Sequence, residues 1–156
     1  MDFDRVLALL RALSTEGVDY VLVGGVALGL HGLIRATEDV DLFIRPEPGN
    51  VARLRRALRS TWDDPAIDEI SAEDLAGAYP TIRYGPPDET VVIDLIGRLG
   101  DAVRFDDLAV EHITIDGVPV ALATPRTLYR MKRDTMRPID RADAAALREK
   151  FGLDDE

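Results

Sequence analysis

The segment from Asp19 to Ile44 constrains this chain more than any other. Asp19-Tyr20-Val21-Leu22-Val23 is short and rich in β-branched residues, and it meets Gly24-Gly25, after which Val26 to His31 suits a short helix. A second strand is expected from Val40 to Ile44. Strand, glycine turn, helix and strand in so short a span demand a sheet with helices packed on it, because each element must bury its apolar side against another layer.

The flanking sequence extends that scheme. Val6, Leu7, Leu10 and Leu13 recur at helical spacing over about residues 3–16, with Gly17 as the stop. Pro46-Glu47-Pro48-Gly49-Asn50 reads as a breaker cluster and Val51 to Ser60 as an arginine-rich helix. Residues 61–79 are acidic and weakly periodic, with a short helix expected after Ser71. Strands over 81–84 and 90–96 flank the Gly85-Pro86-Pro87-Asp88 turn. Asp116-Gly117 between His112-Ile113-Thr114-Ile115 and Val118-Pro119-Val120 marks a tight hairpin. Thr124-Pro125 fits a helix N-cap and first position for a helix to about residue 136, and Pro138 opens another, with Ala142, Ala145, Ala146 and Leu147 on or near its packed face. The expected class is α/β (α+β), a mixed sheet of about five strands flanked by helices. A length of 156 residues matches about one domain. The expected division is a single domain with a core at about 18–122 and C-terminal helices at about 124–151.

Charge and composition exclude several classes. No apolar run approaches the roughly 18 residues that span a bilayer, and the N-terminus is acidic where a signal peptide would be basic, so a soluble, cytoplasmic protein with no membrane partner is expected. The absence of cysteine removes disulfides and thiolate metal sites, so any metal would sit on oxygen or imidazole. A net charge of −10 argues against a broad grip on nucleic acid. That excess is local: residues 60–120 carry 3 basic and 14 acidic side chains. Arg53, Arg55, Arg56 and Arg59, and then Arg126, Arg130, Lys132, Arg133 and Arg137, form two basic stretches open to an RNA or triphosphate track.

Strand alternation puts Asp39 and Asp41 on one face while Val40, Leu42 and Ile44 enter the core. Neighbouring carboxylates repel, and a divalent cation relieves that repulsion; a solvated strand end is the plainer reading of Asp-x-Asp alone. Asp94 lies inside Val91-Val92-Ile93-Asp94-Leu95-Ile96, where an unpaired charge is costly. Asp94 is either an outward-facing edge residue or the third member of a carboxylate set. Gly24-Gly25 between strand and helix suits close approach of a phosphate, or a simple turn. Thr37 could bond phosphate or orient Asp39, and Arg35 could pair with phosphate. Among 17 arginines there are only two lysines, which draws attention to Lys132. Helical spacing sets it beside Leu128 and Met136, facing a cleft or snorkelling to water; Asp140 and Asp143 could orient Lys132 or Arg137, or serve as first-turn acids. His31 and His112 are separated without zinc spacing, and His31 is expected to cap or pack locally, with contact to a nucleotide as the alternative.

Val23-Gly24-Gly25-Val26-Ala27, His31-Gly32, Arg35, Thr37 and Asp39-Val40-Asp41-Leu42 together resemble the nucleotidyltransferase superfamily typified by DNA polymerase beta. The Arg-x-Thr-x-Asp-x-Asp version is similar to the AbiEii group, toxins of type IV toxin–antitoxin systems, and the C-terminal lysine helix followed by an acidic helix is similar too. The resemblance implies a minimal nucleotidyltransferase fold and transfer of a nucleoside monophosphate from an NTP such as ATP, dependent on Mg²⁺ or Mn²⁺, with pyrophosphate leaving. It implies that Gly24 and Gly25, with Arg35, Thr37 and Lys132, bind nucleotide, that Asp39, Asp41 and Asp94 hold metal, and that Lys132 neutralises phosphate. The implied acceptor is a tRNA or protein hydroxyl, and the implied partner a cognate antitoxin. A small-molecule (antibiotic) nucleotidyltransferase and a non-catalytic nucleotide- or partner-binding module are the competing functions.

Overall fold

Asp2 opens the first helix, α1 (Phe3–Thr15), by accepting bonds from the backbone N–H groups of Asp4 and Arg5. Its buried stripe is Val6, Leu9, Leu10 and Leu13, so Leu9 rather than Leu7 completes the helical spacing. A computed structural model describes residues 1–33, 37–100, 103–132 and 138–153, and the elements follow in chain order. Strand β1 (Tyr20–Val23) runs into α2 (Gly24–Leu30), then β2 (Asp39–Ile44) and α3 (Pro48–Thr61). A short 3₁₀ turn at Pro65–Glu69 precedes α4 (Ala72–Ala76), followed by β3 (Thr81–Tyr84), β4 (Val92–Ile96), β5 (Arg98–Leu99) and β6 (Val103–Arg104). The hairpin β7 (Val110–Ile115) and β8 (Val118–Ala123) turns at Asp116 and Gly117, both at positive φ as the Asp-Gly signal predicts. The chain continues in α5 (Pro125–Lys132) and α6 (Pro138–Phe151). Thr124 Oγ1 accepts the backbone N–H of Thr127, the N-cap read from the sequence.

The main sheet has six strands in the order β3-β4-β2-β1-β8-β7, one more than expected. It is mixed: β2 runs antiparallel to β1 and parallel to β4, while β1 is parallel to β8. The ribbon β5-β6 is separate and was not legible in the pattern. Helices α1 and α3 pack together, and α2 rests on β1 and β2. Fully enclosed Leu9, Leu22, Leu28, Leu42, Phe43 and Leu54 anchor the core. Among the described residues no helix is long and apolar enough to cross a membrane.

The breaker at 46–50 does end β2, but its last three residues already belong to α3, with Pro48 in the first turn, where a missing N–H costs nothing. Asn50 explains the geometry. Only 1% exposed, it accepts the Asp19 N–H at 2.7 Å and donates to the carbonyls of Asp19 and Arg45 at 3.0 and 2.9 Å. One side chain thereby ties α3 to the entry of β1 and the exit of β2.

Candidate active site

Parallel pairing of β2 with β4 sets Asp39 opposite Val92, Asp41 opposite Asp94 and Phe43 opposite Ile96. Asp39 and Asp41 leave one face of β2, while Val40, Leu42 and Ile44 are fully buried. Asp94 is not an edge residue, because β4 lies between β3 and β2. Its side chain is 14% exposed, against 33% for Asp39. Further along the same face, Phe43 is covered by the ring of Phe105, with centroids 6.5 Å apart.

The glycine turn meets the carboxylates because Val23 pairs with Asp41. Gly24 holds φ +73°, and a Cβ there would overlap the Asp41 carboxylate; a Cβ on Gly25 would come within 2.8 Å of Thr37 Oγ1. Close approach thus favours glycine at both positions, and at Gly24 the backbone angle does as well. Thr37 Oγ1 donates to the backbone carbonyl of Asp39 at 3.2 Å, fastening the entry to β2. Arg35, Met136 and Arg137 lie outside the described residues.

Lys132 turns inward. Its Nζ donates to Asp140 Oδ1 and Asp143 Oδ2, each at 3.0 Å, and the three side chains are 13%, 5% and 13% exposed. Both acids therefore orient this lysine. A cleft of about 210 Å³ is lined by Gly24, Asp41, Ile96, Leu99, Lys132 and Asp140. Burial, then the charge of Asp94 and a hydrogen bond with it, then the charge of Asp39 push the Asp41 carboxyl up to about 7, while Lys132 acts in the opposite direction.

Arg83 on β3 is a site residue that the sequence reading missed. Its Nε donates to Asp94 Oδ1 at 3.0 Å, and its Nη2 reaches Asp39 Oδ2 at 3.1 Å and Asp94 Oδ2 at 3.2 Å. Those carboxylates hold the guanidinium above its usual pKa, first through the bond to Asp94. The available signal was alternation, since Thr81 and Arg83 are exposed while Tyr84 is buried. His31 takes the packing role: its Nε2 lies 2.8 Å from the Ala123 carbonyl, and its ring meets Phe151 edge-on. His112 sits on β7.

An all-oxygen donor set in which Asp39 and Asp94 crowd the Asp41 carboxylate has the chemistry that suits a hard divalent cation. As the side chains stand, no three His, Asp or Glu residues among those described are gathered into a metal-holding cluster, and the charge bridging Asp39 and Asp94 is that of Arg83.

Fold and site together define an α/β protein in which a glycine turn is set against strand carboxylates, the architecture expected of a nucleotidyltransferase. The family model described as "Nucleotidyl transferase AbiEii toxin, Type IV TA system" matches residues 5–147, and the chain belongs to that family. The match bears out the resemblance carried by Gly24-Gly25 and Asp39-Val40-Asp41. None of the curated proteins compared with the chain matches it.

Proposed function

We propose that this chain transfers a nucleoside monophosphate from an NTP to a hydroxyl of RNA, such as a tRNA end, or of protein, as the toxin partner of a cognate antitoxin. The observation that carries the reading is the register of Asp41 against Asp94, with Gly24 packed on the Asp41 carboxylate. In the reaction an acceptor oxygen forms a bond to the α-phosphorus, the bond from that phosphorus to the bridging oxygen breaks, and pyrophosphate leaves. Asp94 takes the hydroxyl proton. Gly24 and Gly25 present backbone close enough for the triphosphate to approach, with Thr37 and Arg35 assigned to the nucleotide. Lys132, preset by Asp140 and Asp143, places positive charge beside the phosphates. Mg²⁺ or Mn²⁺, held by Asp39, Asp41 and Asp94, would offset triphosphate charge and acidify the acceptor hydroxyl.

The reading is tested with each α-labelled NTP, Mg²⁺ or Mn²⁺, and total RNA or total protein as acceptor. Label is expected in one acceptor pool with the native chain and lost with Asp94→Asn. Transfer only to a small-molecule hydroxyl would support the antibiotic-modifying alternative. NTP binding without transfer to any acceptor would support the binding module.

A further inference from the structure

Arg83 is not used by the reaction above, yet it makes three charge-assisted hydrogen bonds to two of its carboxylates. Its Cα sits opposite Asp94 on the edge strand β3, so a single guanidinium spans from β3 across β4 to Asp39 on β2. Unlike Lys132, it is not enclosed: the side chain is 65% exposed. Solvent screens such pairs, and nothing in that exposure locks the long stem in place. Residues 60–120 hold only three basic side chains against 14 acidic. Of the other two, Arg98 donates to the backbone carbonyls of Gly100 and Gly77, and Arg104 is exposed on β6. Arg83 is the one placed on the strand carboxylates.

We propose that Arg83 is a built-in counter-cation that occupies Asp39 and Asp94 until a divalent cation displaces it, so that metal entry requires the guanidinium to leave. The inference rests on reading these carboxylates as the metal site. Arg83 already engages both oxygens of Asp94 and Oδ2 of Asp39, and a guanidinium and a divalent cation brought onto the same carboxylates repel each other. Apparent cation affinity is therefore reduced by the fraction of molecules in which Arg83 is away from the carboxylates. The arginine in return relieves part of the acidic repulsion while the cation is absent.

The test is Mn²⁺ binding, followed by the paramagnetic signal of the free ion and by calorimetry, with no substrate present. Arg83→Gln is expected to bind Mn²⁺ roughly 3- to 10-fold more tightly than the native chain. Arg104→Gln removes the same charge without the contact and is expected to leave affinity close to native. Arg83→Lys, which keeps a charge but loses the fork, is expected to fall between and serves if the glutamine variant melts early. Native or weaker affinity in the Arg83 variants, or equal tightening in Arg104→Gln, overturns the proposal. If the native chain binds Mn²⁺ and Asp41→Asn does not, the metal-site reading survives that failure. Absence of binding in every protein, Arg83→Gln included, sinks both.

Discussion

Asp41 is where burial and charge conflict most sharply. Its carboxyl is pushed up to about 7 by burial first and by Asp94 and Asp39 next. The folded chain therefore binds a proton there that the unfolded chain, near its ordinary 3.8, has released. Stability from this group is fully present below about pH 4 and falls as pH rises toward 7. Without divalent cation, Asp41→Asn is expected to melt higher than the native chain at pH 8, by about 2 to 4 °C for each kcal/mol relieved. The difference should vanish near pH 4. A lower melting temperature for Asp41→Asn at pH 8 would show that Arg83 and Lys132 already satisfy the carboxylate. Lys132 presents the converse case, a largely enclosed cation held by buried Asp140 and half-buried Asp143. Lys132→Met is expected to cost about 3 kcal/mol in urea unfolding, because Asp140 and Asp143 lose a charge partner. Adding Asp140→Asn and Asp143→Asn should recover much of that loss. The sequence marked Lys132 through the scarcity of lysine and marked Asp39 and Asp41 through strand alternation. For Arg83, alternation could mark only an exposed face of β3, because its contact with the carboxylates depends on the pairing of β3 with β4.

Elements were legible where the apolar period was strong. The helix near 3–16, the Asp-Gly hairpin and the N-cap at Thr124 depend on contacts within a few residues and each forms as expected, while the strand expected at 19–23 forms over 20–23 by pairing with the distant β2 and β8. Long-range packing decided the rest. Pro48-Gly49-Asn50 looks like a breaker until Asn50 is seen bonding to backbone 31 residues away. Asn50→Ala should therefore destabilise the chain by about 2 kcal/mol, chiefly by orphaning the Asp19 N–H. Chemical denaturation at fixed pH measures it, and a change under about 0.5 kcal/mol would show that other groups or water take over those bonds. The two-residue strands β5 and β6 are too short for any period to reveal, yet Leu99 from this ribbon lines the cleft beside Asp41. Phe105 just beyond it covers Phe43 and lies 4.5 Å beneath the guanidinium of Arg45.

Across the whole molecule, charge distribution revises the first of the two basic stretches read as open to an RNA or triphosphate track. The arginines of α3 hold α3 to its neighbours: Arg53 donates to the Gly17 carbonyl, Arg55 to the Ile70 carbonyl, and Arg56 and Arg59 pair with Glu16 and Asp68. Their side chains are committed to structure, which explains why an acidic chain of net −10 spends so many arginines there. The cleft instead sets Asp41 of the sheet against Lys132 and Asp140 of the C-terminal helices. The chain belongs to the AbiEii family, and the central proposal is that the cleft beside Gly24 and Asp41, with Asp94 paired to Asp41, moves a nucleoside monophosphate. The most direct measurement gives the native chain, with divalent cation and total RNA or protein, an NTP labelled at either the α- or the γ-phosphorus. The account predicts that α-label becomes fixed in the acceptor while γ-label leaves as pyrophosphate, and that Asp41→Asn abolishes both. Retention of γ-label on the acceptor, or undiminished transfer by Asp41→Asn, would contradict it.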